Sequence, residues 1–455
     1  MHTFDLLIIG GGPGGYLAAE RAAAGGLKTA LFEARALGGV CLNEGCVPSK
    51  TLLNAAKYYD HAQHGAAFGV TVSDVHFDHA GVIARKDQVV NMLVSGVGTK
   101  MKSHKVTVVQ AYAEITGKTS DGFTVMADGE IYCAKRLMIA TGSSPLIPPI
   151  PGVEIGLTSG FVLTNREILD IPTLPKELVV IGGGVIGLEM AAYFQTVGSQ
   201  VTVIETLDKI AGQTDAEIST LLQKELEKKG VIFHLGAMVA EVGTGEVIYR
   251  KDGETHTLAT EKVLLSTGRC PNVSGFGLAS IGVYVEKGAI VTDAHLRTNI
   301  PDVYAVGDVN GKYMLAHTAY REAEVAVNHM LGKRDYMRYT AISSVIYTSP
   351  EAASVGETEE TAKKRGLDVE VVRVSMLYSG RYVAETNGEE GICKLIVERG
   401  SRKLLGVHLL SPYASEIIYG AALMLEMRLS IEEIKELIFP HPTVGEVIRE
   451  GLFLT

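Results

Sequence analysis

Two cysteines five positions apart, Cys41 and Cys46, stand in the run Gly38-Gly39-Val40-Cys41-Leu42-Asn43-Glu44-Gly45-Cys46-Val47-Pro48-Ser49-Lys50, after one glycine-rich segment and before another. Thiols so placed predict a redox pair that exchanges electrons with a bound nucleotide cofactor. Geometry restricts how they can meet. In an undistorted helix, residues five apart have Cα atoms about 8.6 Å apart, from a rise of ~1.5 Å and 100° per residue. A disulfide closes over at most ~7 Å. The pair therefore bridges only where the backbone leaves helical geometry, and Gly38, Gly39, Gly45 and Pro48 are residues that permit this. The competing reading is two buried cysteines without chemistry. No second Cys/His pair at ligand spacing lies nearby, so no metal site is expected.

A second reactive group lies in the tail, Phe439-Pro440-His441-Pro442-Thr443-Val444-Gly445-Glu446. Prolines on both sides restrict the backbone around His441, and Glu446 is placed to orient one ring nitrogen and raise its basicity. Such a histidine can move a thiol proton near neutral pH. The plainer alternative is a loop histidine beside a helix-capping acid.

The elements that must position these groups begin with the apolar run Phe4 to Ile9, a buried parallel strand by pattern. It leads into Gly10-Gly11-Gly12-Pro13-Gly14-Gly15 and a helical stretch, Tyr16 to Ala24. Gly10 permits the tight turn, Gly12 the approach of a pyrophosphate, and Gly15 the packing of helix on strand, with the helix amino end facing the anion. The next strand, Thr29 to Phe32, ends at Glu33, an acceptor for ribose hydroxyls. The unit returns at Leu178 to Ile181 and Gly182-Gly183-Gly184-Val185-Ile186-Gly187, with Val201 to Ile204 ending at Glu205. Two such units with matching acids predict two nucleotide sites. Glu205 favours NAD over NADP, because a 2′-phosphate would meet a carboxylate and no nearby arginine.

Apolar strands ending in small residues follow each unit, Leu137 to Gly142 and Val263 to Arg269, as if the chain crosses between domains twice. A third, Val303 to Asp308, ends in an acid suited to a polyol chain or to capping a helix. From Met337 onward, strands over Ser344–Tyr347, Ala353–Val355, Val369–Met376, Gly391–Glu398 and Lys403–Leu410 and helices over Ala414–Met427 and Ile431–Ile438 predict a separate α+β domain.

Composition sets the bounds. A chain of 455 residues suggests about three domains. Its 46% apolar and 21% charged residues are those of a globular protein. A net charge of −10 without long basic runs disfavours nucleic acid, and no apolar stretch reaches the ~18 residues of a membrane span. The first strand starts at Phe4, so neither a signal peptide nor a transit peptide is expected, which points to the cytoplasm. Five cysteines do not suggest a secreted disulfide scaffold, and a cytoplasmic disulfide is usually catalytic. Cys133, Cys270 and Cys393 read as ordinary residues.

Gly10 to Gly15, Cys41 to Lys50, Gly182 to Glu189, Ser266 to Asn272, Tyr304 to Val309 with Met314-Leu315-Ala316-His317, Tyr347 to Gly356, and His441 to Glu446 make one pattern. The chain resembles the pyridine nucleotide-disulfide oxidoreductases along essentially its whole length, and within them the branch that oxidises dihydrolipoyl groups. The resemblance implies an α/β fold with two Rossmann-like dinucleotide-binding domains and a C-terminal α+β dimerisation domain. The segments would be 1–145 for FAD, 146–269 for NAD, 270–336 for the second FAD part and 337–455 for the interface. It implies FAD on the first glycine turn and NAD on the second, Asp308 in the FAD site, Cys41 as the thiol that meets substrate and Cys46 as the thiol beside the flavin. Lys50 would stand near the flavin ring, paired with Glu189, and Ala316 would touch the flavin through its backbone. Ala113, Thr141, Gly142, Val239 and Gly268 complete the implied cofactor positions. His441 and Glu446 would complete the partner chain's site in a homodimer. The expected partner is a lipoyl-bearing protein of a 2-oxoacid, acetoin or glycine-cleavage complex. The chain departs from the pattern at Phe439-Pro440, where relatives often carry His-Ala. Two rivals remain: a reductase of glutathione or another linear disulfide, against which Glu205 argues, and a non-catalytic flavoprotein of a complex.

Overall fold

A computed structural model describes all 455 residues, Met1–Thr455. They form two compact units: Met1–Thr51, Ile83–Leu146 and Gly268–Arg338 in the first, and Leu52–Val82, Ile147–Thr267 and Tyr339–Thr455 in the second.

The first unit is built on the strand His2–Ile9, whose Leu6, Leu7 and Ile8 are fully buried. Parallel neighbours lie on both sides, Thr29–Phe32 and then Thr107–Val109 on one, Glu130–Ile139 on the other. Val303–Ala305 pairs in parallel with the end of Glu130–Ile139, and the antiparallel strands Gly122–Ala127 and Ala113–Thr119 extend its beginning. Register aligns Ile9 with Phe32 and Ile139, and Ile139 with Ala305. The strands thus end along one edge, where ligands of open parallel sheets bind. Such strands are apolar throughout because both faces are covered.

The second unit repeats the plan with a five-stranded parallel sheet ordered Ile232–His234, Gln200–Ile204, Glu177–Ile181, Lys262–Leu265 and Val162–Leu163. A three-stranded antiparallel sheet, Met238–Val242, Glu246–Lys251 and Glu254–Ala259, accompanies it. The carboxyl-terminal part is a five-stranded antiparallel sheet ordered Ser344–Ile346, Glu351–Gly356, Leu404–Ser411, Ile392–Glu398 and Val369–Ser375. The helices Ala414–Glu426 and Val447–Leu452 share its core through Ile418, Ala421, Ile448 and Leu452. The helix expected over Ile431–Ile438 ends at Lys435. Pro440 lies just beyond and disfavours helical geometry in Phe439, so the chain leaves the helix before it.

An ionic cluster around a buried lysine sits inside this unit. Lys394 is 1% exposed and reaches Asp215 at 2.9 Å, Glu359 at 2.8 Å and Glu217 at 3.1 Å. Asp215 also caps the helix Ala216–Lys228, accepting from Glu217 and Ile218 amides. Burial opposes ionisation of Asp215, but the Lys394 bond and charge outweigh it and hold the carboxyl below its ordinary range. His408, fully buried beside them, bonds the Glu357 carbonyl through Nε2 at 2.8 Å, and its Nδ1 has no partner. Burial holds this imidazole's pKa below its ordinary value. The folded state therefore resists a proton that the unfolded chain accepts, and stability present above about pH 6.5 is lost as pH falls below it. The denaturation midpoint at fixed protein concentration should drop between pH 7 and 5.5, by at most about 1.4 kcal/mol per pH unit for this one proton. His408→Gln should flatten that slope; equal slopes in both proteins would exclude His408 as its source.

Candidate active site

The first glycine turn is set by contact distances. A Cβ on Gly15 would stand 1.8 Å from the Gly10 carbonyl oxygen, and one on Gly10 2.2 Å from that of Ala140. The helix Pro13–Ala24 thus packs on the strand with no room for side chains. Gly12, at its amino cap, is different: a Cβ there would meet only the Gly39 Cα, at 3.8 Å, and no side chain caps the helix. The second turn has the same division, with Gly187 against the Gly182 carbonyl at 2.2 Å, open space at Gly184, and no side-chain cap on the helix Val185–Thr196. Both amino ends have the open space and uncapped amides that a pyrophosphate needs. The matching acids sit alike: Glu33 accepts from the Gly11 amide at 2.8 Å and Glu205 from the Gly183 amide at 2.7 Å.

The cysteine segment is tied to the first turn by a bond from the Gly38 amide to the Gly11 carbonyl at 2.8 Å. Cys41 lies in a short helix, Gly39–Asn43, and Cys46 opens a 19-residue one, Cys46–His64. Between them the backbone breaks at Glu44, φ −141°, and Gly45. This is the departure from helical geometry that the five-residue spacing requires. Asn43 Nδ2 donates to the Leu37 and Gly39 carbonyls at 3.0 and 2.9 Å, Glu44 bonds Arg35, and Ser49 Oγ donates to the Gly45 carbonyl at 2.7 Å. The pair stands as two thiols, Cys41 half-buried and Cys46 exposed. A hydrogen bond with Cys46, then burial, push the Cys41 thiol above its ordinary range, and Lys50, one turn into the longer helix, opposes them. Cys46 opens the long helix Cys46–His64, an amino end whose dipole favours a thiolate.

Asp308 lies in the short turn Gly307–Asn310, and its carboxylate caps no helix. It accepts from Ser143 Oγ at 2.5 Å. Around it the two crossing strands are stitched together: Ser143–Pro145 pairs with Arg269–Pro271, Thr141 Oγ1 donates to the Asn272 carbonyl at 2.8 Å, and the Asn272 amide donates to the Gly142 carbonyl at 2.9 Å. Gly142 and Gly268 carry positive φ, 67° and 118°, at the two crossings.

In the tail, His441 Nδ1 is 2.7 Å from Glu446 Oε2. The imidazole is 79% exposed and the carboxylate 11%. Glu446 occupies the cap position of the helix Val447–Leu452, yet its side chain caps nothing there. The carboxylate serves the histidine, against the plainer reading of a capping acid.

The remaining expected positions are fixed by backbone. Ala113 opens a strand, Val239 lies in Met238–Val242, and Ala316 opens the helix Ala316–Met330. Glu189 is 3% exposed and accepts from the Tyr347 amide at 3.0 Å. Two groups that sequence reasoning missed stand in the first unit. The Tyr16 and Tyr320 hydroxyls bond each other, and burial, then the Tyr320 hydroxyl, push the Tyr16 phenol up. Ser143 and Arg269 form the other group, bonded to each other and, through Ser143, to Asp308. Arg269 lies in the Ser266-to-Asn272 segment, but a lone tyrosine or serine carries no motif, so nothing local marked Tyr16, Tyr320 or Ser143.

Comparison with known proteins matches residues 4–323 to the pyridine nucleotide-disulphide oxidoreductases and residues 342–452 to the dimerisation domain of that family. The chain is 37% identical to dihydrolipoyl dehydrogenase of Cupriavidus necator over 98% of this chain and 97% of that one. It is 39% identical to the mitochondrial dihydrolipoyl dehydrogenase of Pisum sativum, over 99% and 91%. Among solved structures, the HOCl-induced flavoprotein disulfide reductase RclA of Escherichia coli superposes with a TM-score of 0.87 at 27% identity, over 99% of both chains.

The two kinds of glycine should separate on substitution. Gly15→Ala forces helix from strand and should cost about 3 kcal/mol of stability. Gly12→Ala should leave the denaturation midpoint nearly unchanged but sharply reduce the dinucleotide retained, read by absorbance of purified protein. Full retention in Gly12→Ala would show that no phosphate approaches there.

Proposed function

The chain belongs to the pyridine nucleotide-disulphide oxidoreductases, and from that premise we propose that it is a dihydrolipoyl dehydrogenase, oxidising protein-bound dihydrolipoyl groups with NAD through Cys41, Cys46 and FAD. The observation that carries this reading is the helix break that brings two thiols five residues apart into contact, next to an open dinucleotide turn. FAD and NAD are the cofactors of this family. FAD, when bound, supplies two-electron transfer between the cysteine pair and the nicotinamide.

His441 Nε2 takes the proton of a substrate thiol, while Nδ1 is held by Glu446 in the orienting role of a triad acid. The substrate thiolate attacks the sulfur of Cys41 in the Cys41–Cys46 disulfide, and Cys46 leaves as thiolate. The second substrate thiol attacks the mixed disulfide and closes the substrate ring, releasing Cys41. The enzyme is left with the two electrons as a dithiol. Exposure of His441 and burial of Glu446 suit this division: the base must reach a substrate, the acid must only aim it.

Gly10, Gly12, Gly15, Glu33 and Asp308 bind FAD in this reading, with Lys50 near the flavin ring and paired with Glu189. Gly182, Gly184, Gly187 and Glu205 bind NAD. Segments 1–145 and 270–336 make up the FAD domain, 146–269 the NAD domain and 337–455 the interface domain. The dimerisation domain makes the chain a homodimer component of a multienzyme complex, and we assign its lipoyl partner to a 2-oxoacid, acetoin or glycine-cleavage system. No helix is long and apolar enough to cross a membrane, and the proposed compartment is the cytoplasm. An NADH:lipoamide assay against a glutathione-disulfide assay tests the reading directly; turnover of the linear disulfide alone would overturn it.

Glu205 carries cofactor choice. Wild type should prefer NAD to NADP by a wide margin in kcat/KM, and Glu205→Arg should narrow it, whereas equal values in wild type would return the linear-disulfide reductases to contention. His441→Ala should slow dithiol oxidation by roughly 10²–10⁴, with flavin content and NADH-driven reduction of the cysteine pair near normal. Mixed dimers of His441→Ala and Cys41→Ser subunits should regain activity. Inactive mixed dimers, verified by mass, would show that tail and cysteines act within one chain.

A further inference from the structure

We infer that Ser143 and Arg269 are positioning residues that fix the Asp308 carboxylate for FAD, an inference that rests on the reading of Asp308 as a flavin-site acid. Ser143 is 4% exposed and lies on the crossing strand Ser143–Pro145, and Arg269 opens the antiparallel partner Arg269–Pro271. Arg269 grips Ser143 twice: Nε donates to Ser143 Oγ at 2.7 Å, and an Nη donates to the Ser143 carbonyl at 2.7 Å. A serine hydroxyl has one proton. With its oxygen accepting from a guanidinium, that proton is committed to Asp308 Oδ2, at 2.5 Å, and the cation strengthens it as a donor.

The consequence lies at the carboxylate. One oxygen is held by Ser143 and no protein group bonds the other, which stays available as an acceptor for a ligand hydroxyl. Without Ser143 the side chain can rotate or turn both oxygens to water, and binding of a ligand hydroxyl must then include the cost of ordering it. Planarity matters as well as charge, because a lysine at 269 cannot hold Oγ and the carbonyl in the same fork. The relay also links the two crossing segments to the flavin acid. Residues 126 positions apart, Ser143 and Arg269, therefore set the hold of Asp308 on the cofactor.

The test measures FAD release from purified holoprotein after dilution, by recovery of flavin fluorescence, with far-UV circular dichroism as the folding control. Ser143→Ala should release FAD roughly 10–100-fold faster, the scale of one lost charge-assisted bond. Ser143→Thr, which keeps the hydroxyl, should stay near wild type, and Arg269→Lys should fall between. In an Asp308→Ala background Ser143→Ala should add nothing, since it acts only through that carboxylate. The proposal is overturned if Ser143→Ala releases FAD at the wild-type rate, if Ser143→Thr loses it as fast as alanine, or if the serine effect persists in full without Asp308. A wild-type protein that binds no FAD would instead remove the premise, and the relay with it.

Discussion

Two sulfurs five residues apart can meet only if a helix is interrupted, and the first unit is organised around that interruption. The break at Glu44 and Gly45 would fray if left to itself, because it exposes backbone groups of two helices. It is held from both sides, by Asn43 on the carbonyls of Leu37 and Gly39, by Ser49 on Gly45, and by the Arg35–Glu44 pair. The bond from Gly38 to Gly11 then fastens the assembly to the dinucleotide turn. The same distortion that lets the thiols meet places Cys46 at the amino end of a long helix.

The glycine turns show the same economy in a repeated form. In each unit one glycine is required by the protein's own packing and another leaves a space that the protein does not fill. The acids share their main contacts: both take an amide from the middle of the turn, at 2.8 and 2.7 Å, and a second from two residues further on, Arg35 and Leu207. The first turn is fastened to the cysteine segment through the Gly38 amide, and the second has no cysteine segment bonded to it.

Short-range pattern made much of this legible. The strands Thr29–Phe32 and Val369–Ser375 and the helix Ala414–Glu426 lie within a residue of where apolar periodicity puts them, because burial on a regular element writes itself into sequence. The glycine turns were legible because little besides a close backbone approach demands that side chains be missing at a fixed spacing. The Ser143–Arg269–Asp308 relay and the Lys394 cluster were not. Their bonds join Ser143 to Arg269 across 126 positions, Ser143 to Asp308 across 165 and Asp215 to Lys394 across 179, and Ser143 and Lys394 alone look like an ordinary serine and lysine. Pairing across such separations is decided by topology, which no local window contains.

The Lys394 cluster shows why topology matters physically. A lysine 1% exposed would shed its proton if unpaired, since burial penalises the charged form. Here the bonds from Glu359 and Asp215 outweigh that penalty, and the ammonium is held more firmly than in water. The carboxylates come from the cap of Ala216–Lys228 and from the helix Glu359–Lys364, while the lysine comes from the carboxyl-terminal sheet. Removing Lys394 or Asp215 leaves the other buried without this partner, which costs more than the intact pair contributes. Such a cluster adds little net stability but penalises every arrangement in which these three elements are not together. It ties the helix Ala216–Lys228 to the carboxyl-terminal sheet within the second unit, against whose core Val447 and Ile448, next to the His441–Glu446 pair, are packed.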